Sequence, residues 1–161
     1  MIIEQRLEEL GLVLPEALKR PYGQELPFAF VRVHGNRAFV SGHLPQNQDG
    51  TVAGPFGKVG AEISIEQGYE AGRLTALSML GSLKRELGDL DRIEAWVKAL
   101  GMVNAAPGFT KMPVIVNGFS DLILEVFGKE VGTHSRSAVG MASLPFNVPI
   151  EIEGEVIIKA D

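Results

Sequence analysis

Apolar residues recur at helical spacing at the start of the chain, where Ile3, Leu7 and Leu10 are separated by charged residues and followed by Gly11 and Pro15. That pattern predicts a short amphipathic helix capping the domain. Pro21, Gly23 and Pro27 interrupt residues 18–28, which predicts an extended lead-in. Two apolar runs follow, residues 30–33 and 38–40, on either side of His34-Gly35-Asn36-Arg37. Gly and Asn tolerate the positive φ that tight hairpin turns require, so a β-hairpin is expected. Its second strand should end at Ser41-Gly42-His43-Leu44-Pro45, and the glycines of residues 49–60 predict a loop with a minor strand near Thr51 and Val52.

Ser64 and Gln67 have capping-box spacing, and residues 65–87 then carry Ala71, Leu74, Leu77, Leu80 and Leu87 along one face before Gly88. A long helix is predicted. Gly68, Ala71, Gly72, Ala76, Ser78 and Gly81 make it unusually small-faced, which suggests close approach to a sheet. Residues 93–103 alternate Ile93, Ala95, Val97 and Ala99 against Glu94, Trp96, Lys98 and Leu100, as a strand would. After a loop at 104–108, Pro113 opens a second helix that continues through Val116, Phe119 and Ile123 towards Gly128. Residues 137–142 and 150–159 read as two further strands joined by Leu144-Pro145-Phe146-Asn147.

Strand, strand, helix, strand, helix, strand, strand is the order of an α+β two-layer domain: a mixed β-sheet with two long helices packed on one face. The other face then lacks cover. Trp96, Leu100, Met102 and Ile157 are expected there, and burial by another copy of the chain predicts a homo-oligomer.

At 161 residues and 45% apolar content, a single domain spanning residues 1–161 is expected, with 1–20 as an N-terminal helical extension. No run approaches the roughly 20 apolar residues that span a bilayer, and Met1-Ile2-Ile3 leads at once into Glu4, Gln5 and Arg6. The reading is a cytoplasmic protein with no membrane partner. A net charge of −5 disfavours nucleic acid, and Lys84-Arg85 sits beside Glu86 as a solvated helix face. With no cysteine, thiolate chemistry and Cys-based metal sites are excluded. His34, His43 and His134 form no pair at ligand spacing, so no metal is expected. The Gly54, Gly57, Gly60 string contains Pro55 and opens no strand-to-helix turn, so nucleotide cofactors lack support.

Arg136 opens the strand of small and apolar residues that follows Thr133-His134-Ser135. A guanidinium held on a strand end is suited to a carboxylate, although a lone arginine there also reads as a surface charge. Its setting is informative. Arg136-Ser137-Ala138-Val139-Gly140-Met141-Ala142-Ser143-Leu144-Pro145, followed by Glu151-Ile152-Glu153, resembles the C-terminal signature of the RidA/YjgF family. Gly35-Asn36 through Ser41-Gly42-His43-Leu44-Pro45 is similar to that family's hairpin, and Val116-Asn117-Gly118 to its second-helix asparagine.

The resemblance implies a trimer with clefts between subunits. It also implies cofactor-free hydrolytic deamination of small 2-imino or enamine acids to 2-keto acids and ammonia. Under it, Arg136 grips the substrate carboxylate and Glu151 positions or activates water. Gly42 offers backbone contacts, while Ser41, Asn117 and Ala138 shape the pocket. From the pattern alone, Glu151 reads as part of an exposed row with Glu153 and Glu155. Phe28 stands where many members place a tyrosine in the substrate-binding set, and phenylalanine cannot donate a hydrogen bond. A non-catalytic binding module for small carboxylate metabolites is therefore the alternative. The N-terminal extension and the stretch between Met102 and Pro113 resemble a YjgF-like subgroup.

Overall fold

The computed structural model describes residues 2–20 and 23–160. Helix α1 (Ile2–Glu9) buries Leu7, and its first free amides donate to the Asp91 carboxylate, Ile2 N at 2.7 Å and Ile3 N at 2.8 Å. A carboxylate at a helix N-terminus satisfies amides that have no partner within the helix. The expected cap is thus tied to the far end of the domain, just beyond the second helix.

Strands β1 (Val31–His34) and β2 (Arg37–His43) form the expected hairpin around Gly35, whose φ of 61° fits the turn. β2 ends at His43, within the stretch where the sequence places its end; after an irregularity between Val40 and His43 it pairs again at His43, so Ser41 and Gly42 lie in a bulge. Helix α2 (Ile65–Leu87) carries both halves of the Ser64/Gln67 capping box. β3 (Ile93–Asn104) follows, then α3 (Met112–Gly132), β4 (Ser135–Met141) and β5 (Ile150–Ile158). Gly128, at φ 74°, interrupts α3 where the sequence places its end, and one more turn carries the helix to Gly132.

The five strands lie in the order β1-β2-β5-β3-β4, with β3 and β4 parallel and the other neighbours antiparallel. α2 and α3 pack on each other and on one face of this mixed sheet, giving the α+β architecture. Ile150, Ile152, Val156 and Ile158 point into the core between sheet and helices, as the alternation along β5 predicts.

Two expectations fail. The small face of α2 serves the other helix more than the sheet: a Cβ on Gly72 would press on the α3 backbone at Ile115 and Phe119, and one on Gly118 would collide with the Tyr69 carbonyl. Trp96 does not lie on the open sheet face. A bulge between Trp96 and Lys98 turns its ring inward, where it is 2% exposed and packs edge-on against Phe119 and Phe127 at 5.7 and 6.0 Å. Leu100, Met102 and Ile157 remain half-buried, with exposed Phe39 and Val139 on neighbouring strands. Among the described residues no helix is long and apolar enough to cross a membrane.

Candidate functional site

The proposed residues fall into two groups. In the first, the β2 bulge brings Gly42 against the side chain of Glu151 on β5: a Cβ at Gly42 would run into the Glu151 carboxylate. Both residues line one end of a cavity of about 330 Å³, together with Phe28, Phe30, His43 and Phe146. Burial, and then the charge of Glu153, push the Glu151 carboxyl above its ordinary range. Glu151 is therefore set apart from Glu155, which is held by Arg37 Nε at 2.6 Å, and the exposed-row reading does not describe it. Such a carboxylate is poised to accept a proton.

Ser41 belongs to this group by position, but its hydroxyl faces the lead-in, donating to the Ala29 carbonyl at 2.7 Å. Phe28 is 54% exposed and meets Phe30 edge-on at 5.8 Å. His43 is buried beneath the bulge. Its Nδ1 lies 2.6 Å from the Ser41 carbonyl and therefore carries the hydrogen, which leaves Nε2 to accept from the Ser82 hydroxyl at 2.8 Å. Burial pulls its pKa down to about 4, so the ring stays neutral and locks the bulge.

The second group surrounds Arg136 on β4. Its Nη2 donates to Asn117 Oδ1 at 2.7 Å and to the Pro113 carbonyl at 3.1 Å, and its Nη1 donates to Ser120 Oγ at 2.9 Å. All three acceptors are neutral, so the guanidinium is oriented without losing its charge. Ser120 in turn donates to His134 Nε2 at 2.9 Å, and the His134 Nδ1 hydrogen goes to the Gly132 carbonyl at 2.8 Å. The same order of groups recurs under the first site, where Arg85 donates to Ser82 at 3.2 Å and Ser82 to His43. Ala138 lies two residues along β4 from Arg136, paired with Gly101, whose added Cβ would strike Val116.

A single chain does not unite the two groups. His43, Ile152, Gly101 and Ala138 form one row across β2, β5, β3 and β4. Three strand spacings of about 4.8 Å put the β2 and β4 ends of that row roughly 14 Å apart. Glu151 lies on the opposite face of β5 from Ile152, whereas Arg136 reaches over α3 on the helix side.

Comparison with known proteins follows this division. The sequence model of the family described as "YjgF/chorismate mutase-like, putative endoribonuclease" matches residues 4–152. The chain belongs to that family. Protein TCP17 of Trypanosoma cruzi is 39% identical to it over 154 residues, covering 96% of this chain and 92% of TCP17. The crystal structure of Atu1372 from Agrobacterium tumefaciens, of unknown function, is 38% identical with a TM-score of 0.86, covering 99% of this chain and 93% of that one. A protein from Shewanella oneidensis, given the same endoribonuclease description, has 31% identity, a TM-score of 0.86, and coverage of 97% and 99%. The YjgF family and its α+β fold, read from the Arg136 and Ser41-Gly42 motifs, are thereby established.

Sequence reasoning missed three contributors. Ser120 is one helical turn beyond Asn117 and could have been found from that spacing. Asn104, expected in a loop, ends β3 fully buried and donates to Asn147 Oδ1 at 3.0 Å, to the Val148 carbonyl at 3.2 Å and to the Gly57 carbonyl at 3.3 Å. Phe146 takes a φ of 56°, which no residue-type signal announces.

Proposed function

We propose that this YjgF-family chain hydrolyses 2-imino or enamine acids to 2-keto acids and ammonia at a cleft between copies of itself, without a cofactor. The observation that carries the reading is the separation of Arg136 from Glu151 within one chain, each already oriented by its own neighbours. A second copy, docked through the half-apolar open sheet face, supplies the missing half; a trimer closes such a head-to-tail contact.

The chemistry needs little more than these groups. Arg136, with Asn117 beside it, holds the substrate carboxylate. Water adds to the protonated imine carbon as Glu151 takes the water's proton, giving a carbinolamine. Glu151 passes that proton to the amino nitrogen; as the C–N bond breaks and the C=O forms, the hydroxyl proton returns to Glu151, ammonia leaves, and the carboxyl then releases its proton to water or ammonia. Orientation and one general base account for both halves of the reaction. The family description also names endoribonuclease activity; a net charge of −5 opposes a polyanion, whereas a small carboxylate needs only the local Arg136 guanidinium.

Mixed oligomers test the proposal. Arg136→Ala and Glu151→Gln, each alone, should lose release of 2-keto acid from freshly generated 2-iminobutanoate. Refolded together, they should regain a fraction of wild-type rate, because some clefts then hold both intact residues. Failure to regain activity, with folded mixed oligomers demonstrated, refutes the shared cleft. Phe28, which lacks a donor, supports a second reading, a non-catalytic carboxylate-binding module: 2-keto acids would then raise the melting temperature with no turnover.

A further inference from the structure

The Glu151 cleft extends well past the reacting groups. Its cavity of about 330 Å³ is walled by Leu18, Leu26, Phe28, Phe30, Leu44 and Phe146, with Arg20 and Gln24 among its polar lining. A cavity of roughly 150 Å³ is enough for benzene. The space is thus larger than the ethyl side chain of 2-iminobutanoate can use.

Both sides of this cavity are built. The extension is fixed along the loop after β2 by main-chain hydrogen bonds, Glu16 N to the Gln48 carbonyl and Lys19 N to the Gly50 carbonyl, each 2.9 Å. On the other side, Phe146 and Asn147 adopt φ of 56° and 58°, a region that asparagine enters readily but phenylalanine avoids unless its surroundings impose it. Asn104 grips the Asn147 side chain and the Gly57 amide donates to the Asn147 carbonyl at 2.8 Å, which holds the Phe146 ring at the cavity.

We infer that the substrates of this cleft are 2-imino acids with a bulky apolar side chain of aromatic size. The subsite for that side chain is formed by Leu18 of the extension and Leu26 of the lead-in, together with Phe28 and Phe146. On this view Phe28 is a specificity-determining residue, exchanging a polar contact for an apolar wall. The inference rests on the reading that a carboxylate metabolite docks beside Glu151.

Calorimetric titration of the wild-type oligomer with phenylpyruvate, 4-methyl-2-oxopentanoate and 2-oxobutanoate separates the two. Phenylpyruvate is expected to bind at least tenfold more tightly than 2-oxobutanoate, with the branched acid between. Leu26→Trp, which fills the cavity, should bring that ratio close to one, and Leu18→Trp should do the same if the first variant folds poorly. Equal affinities, or a preference for 2-oxobutanoate, overturn the inference and leave the carboxylate reading standing. Binding of none of the three acids overturns the carboxylate reading, and the inference falls with it.

Discussion

Gly42 lies so close to Glu151 that a single added methyl group would occupy the place of the carboxylate. The obstruction is the end of a flexible side chain, so Gly42→Ala should displace Glu151 at little cost to the fold. At least a tenfold loss in kcat/KM with a melting temperature near wild type is expected. Gly118→Ala is the contrasting case, since its methyl meets the Tyr69 backbone; overpacking of that kind should cost about 2–3 kcal/mol by denaturant titration.

The raised pKa of Glu151 has a sign that can be checked. A folded-state carboxyl above its ordinary pKa holds its proton better than the unfolded chain does, so stability falls as pH rises through that range. Glu151→Gln removes the penalty. The variant should be inactive yet at least as stable as wild type at pH 7, with the difference closing at pH 4 in parallel urea unfolding curves.

His43 behaves in the opposite sense. Its ordinary pKa of 6.5 falls to about 4 in the fold. As pH drops below 6.5 the unfolded chain takes up a proton that the folded one refuses, and roughly 3 kcal/mol of stability is lost by pH 4. His43→Gln should flatten this part of the stability profile measured between pH 7 and pH 4.

Ser120 orients Arg136 without touching the proposed substrate. Ser120→Ala should weaken 2-keto acid binding about tenfold, because a hydrogen bond to a charged group contributes roughly 1.5–3 kcal/mol and two others remain. Ser120→Thr should restore much of the affinity, as a purely structural role would not require. Calorimetry distinguishes the outcomes.

Asn104→Ala leaves the buried Gly57 and Val148 carbonyls, and the more exposed Asn147 side chain, short of a donor and should cost about 3 kcal/mol in unfolding free energy. Release of Phe146 should accompany it, read as loss of affinity for phenylpyruvate.

The alternation of Ile150, Ile152, Val156 and Ile158, and the Ser64/Gln67 box, are local signals, and the structure follows them. Trp96 departs from the alternation because a bulge adds a residue to β3, and periodicity cannot register such an insertion. The small face of α2 was legible as small, but only the partner helix with Gly118 explains it. Arg136 and Glu151 carried family motifs and Ser120 follows Asn117 at helical spacing, whereas Asn104 and Phe146 act through contacts between distant segments that no single window contains.

The guanidinium and its carboxylate sit on opposite faces of the sheet with β3 between their strands, and this has a consequence for handling the molecule. On the proposed reading, an isolated protomer is inert by construction. Specific activity should therefore decline on dilution below the assembly constant and return on concentration, as it would not for an enzyme whose cleft is complete in one chain.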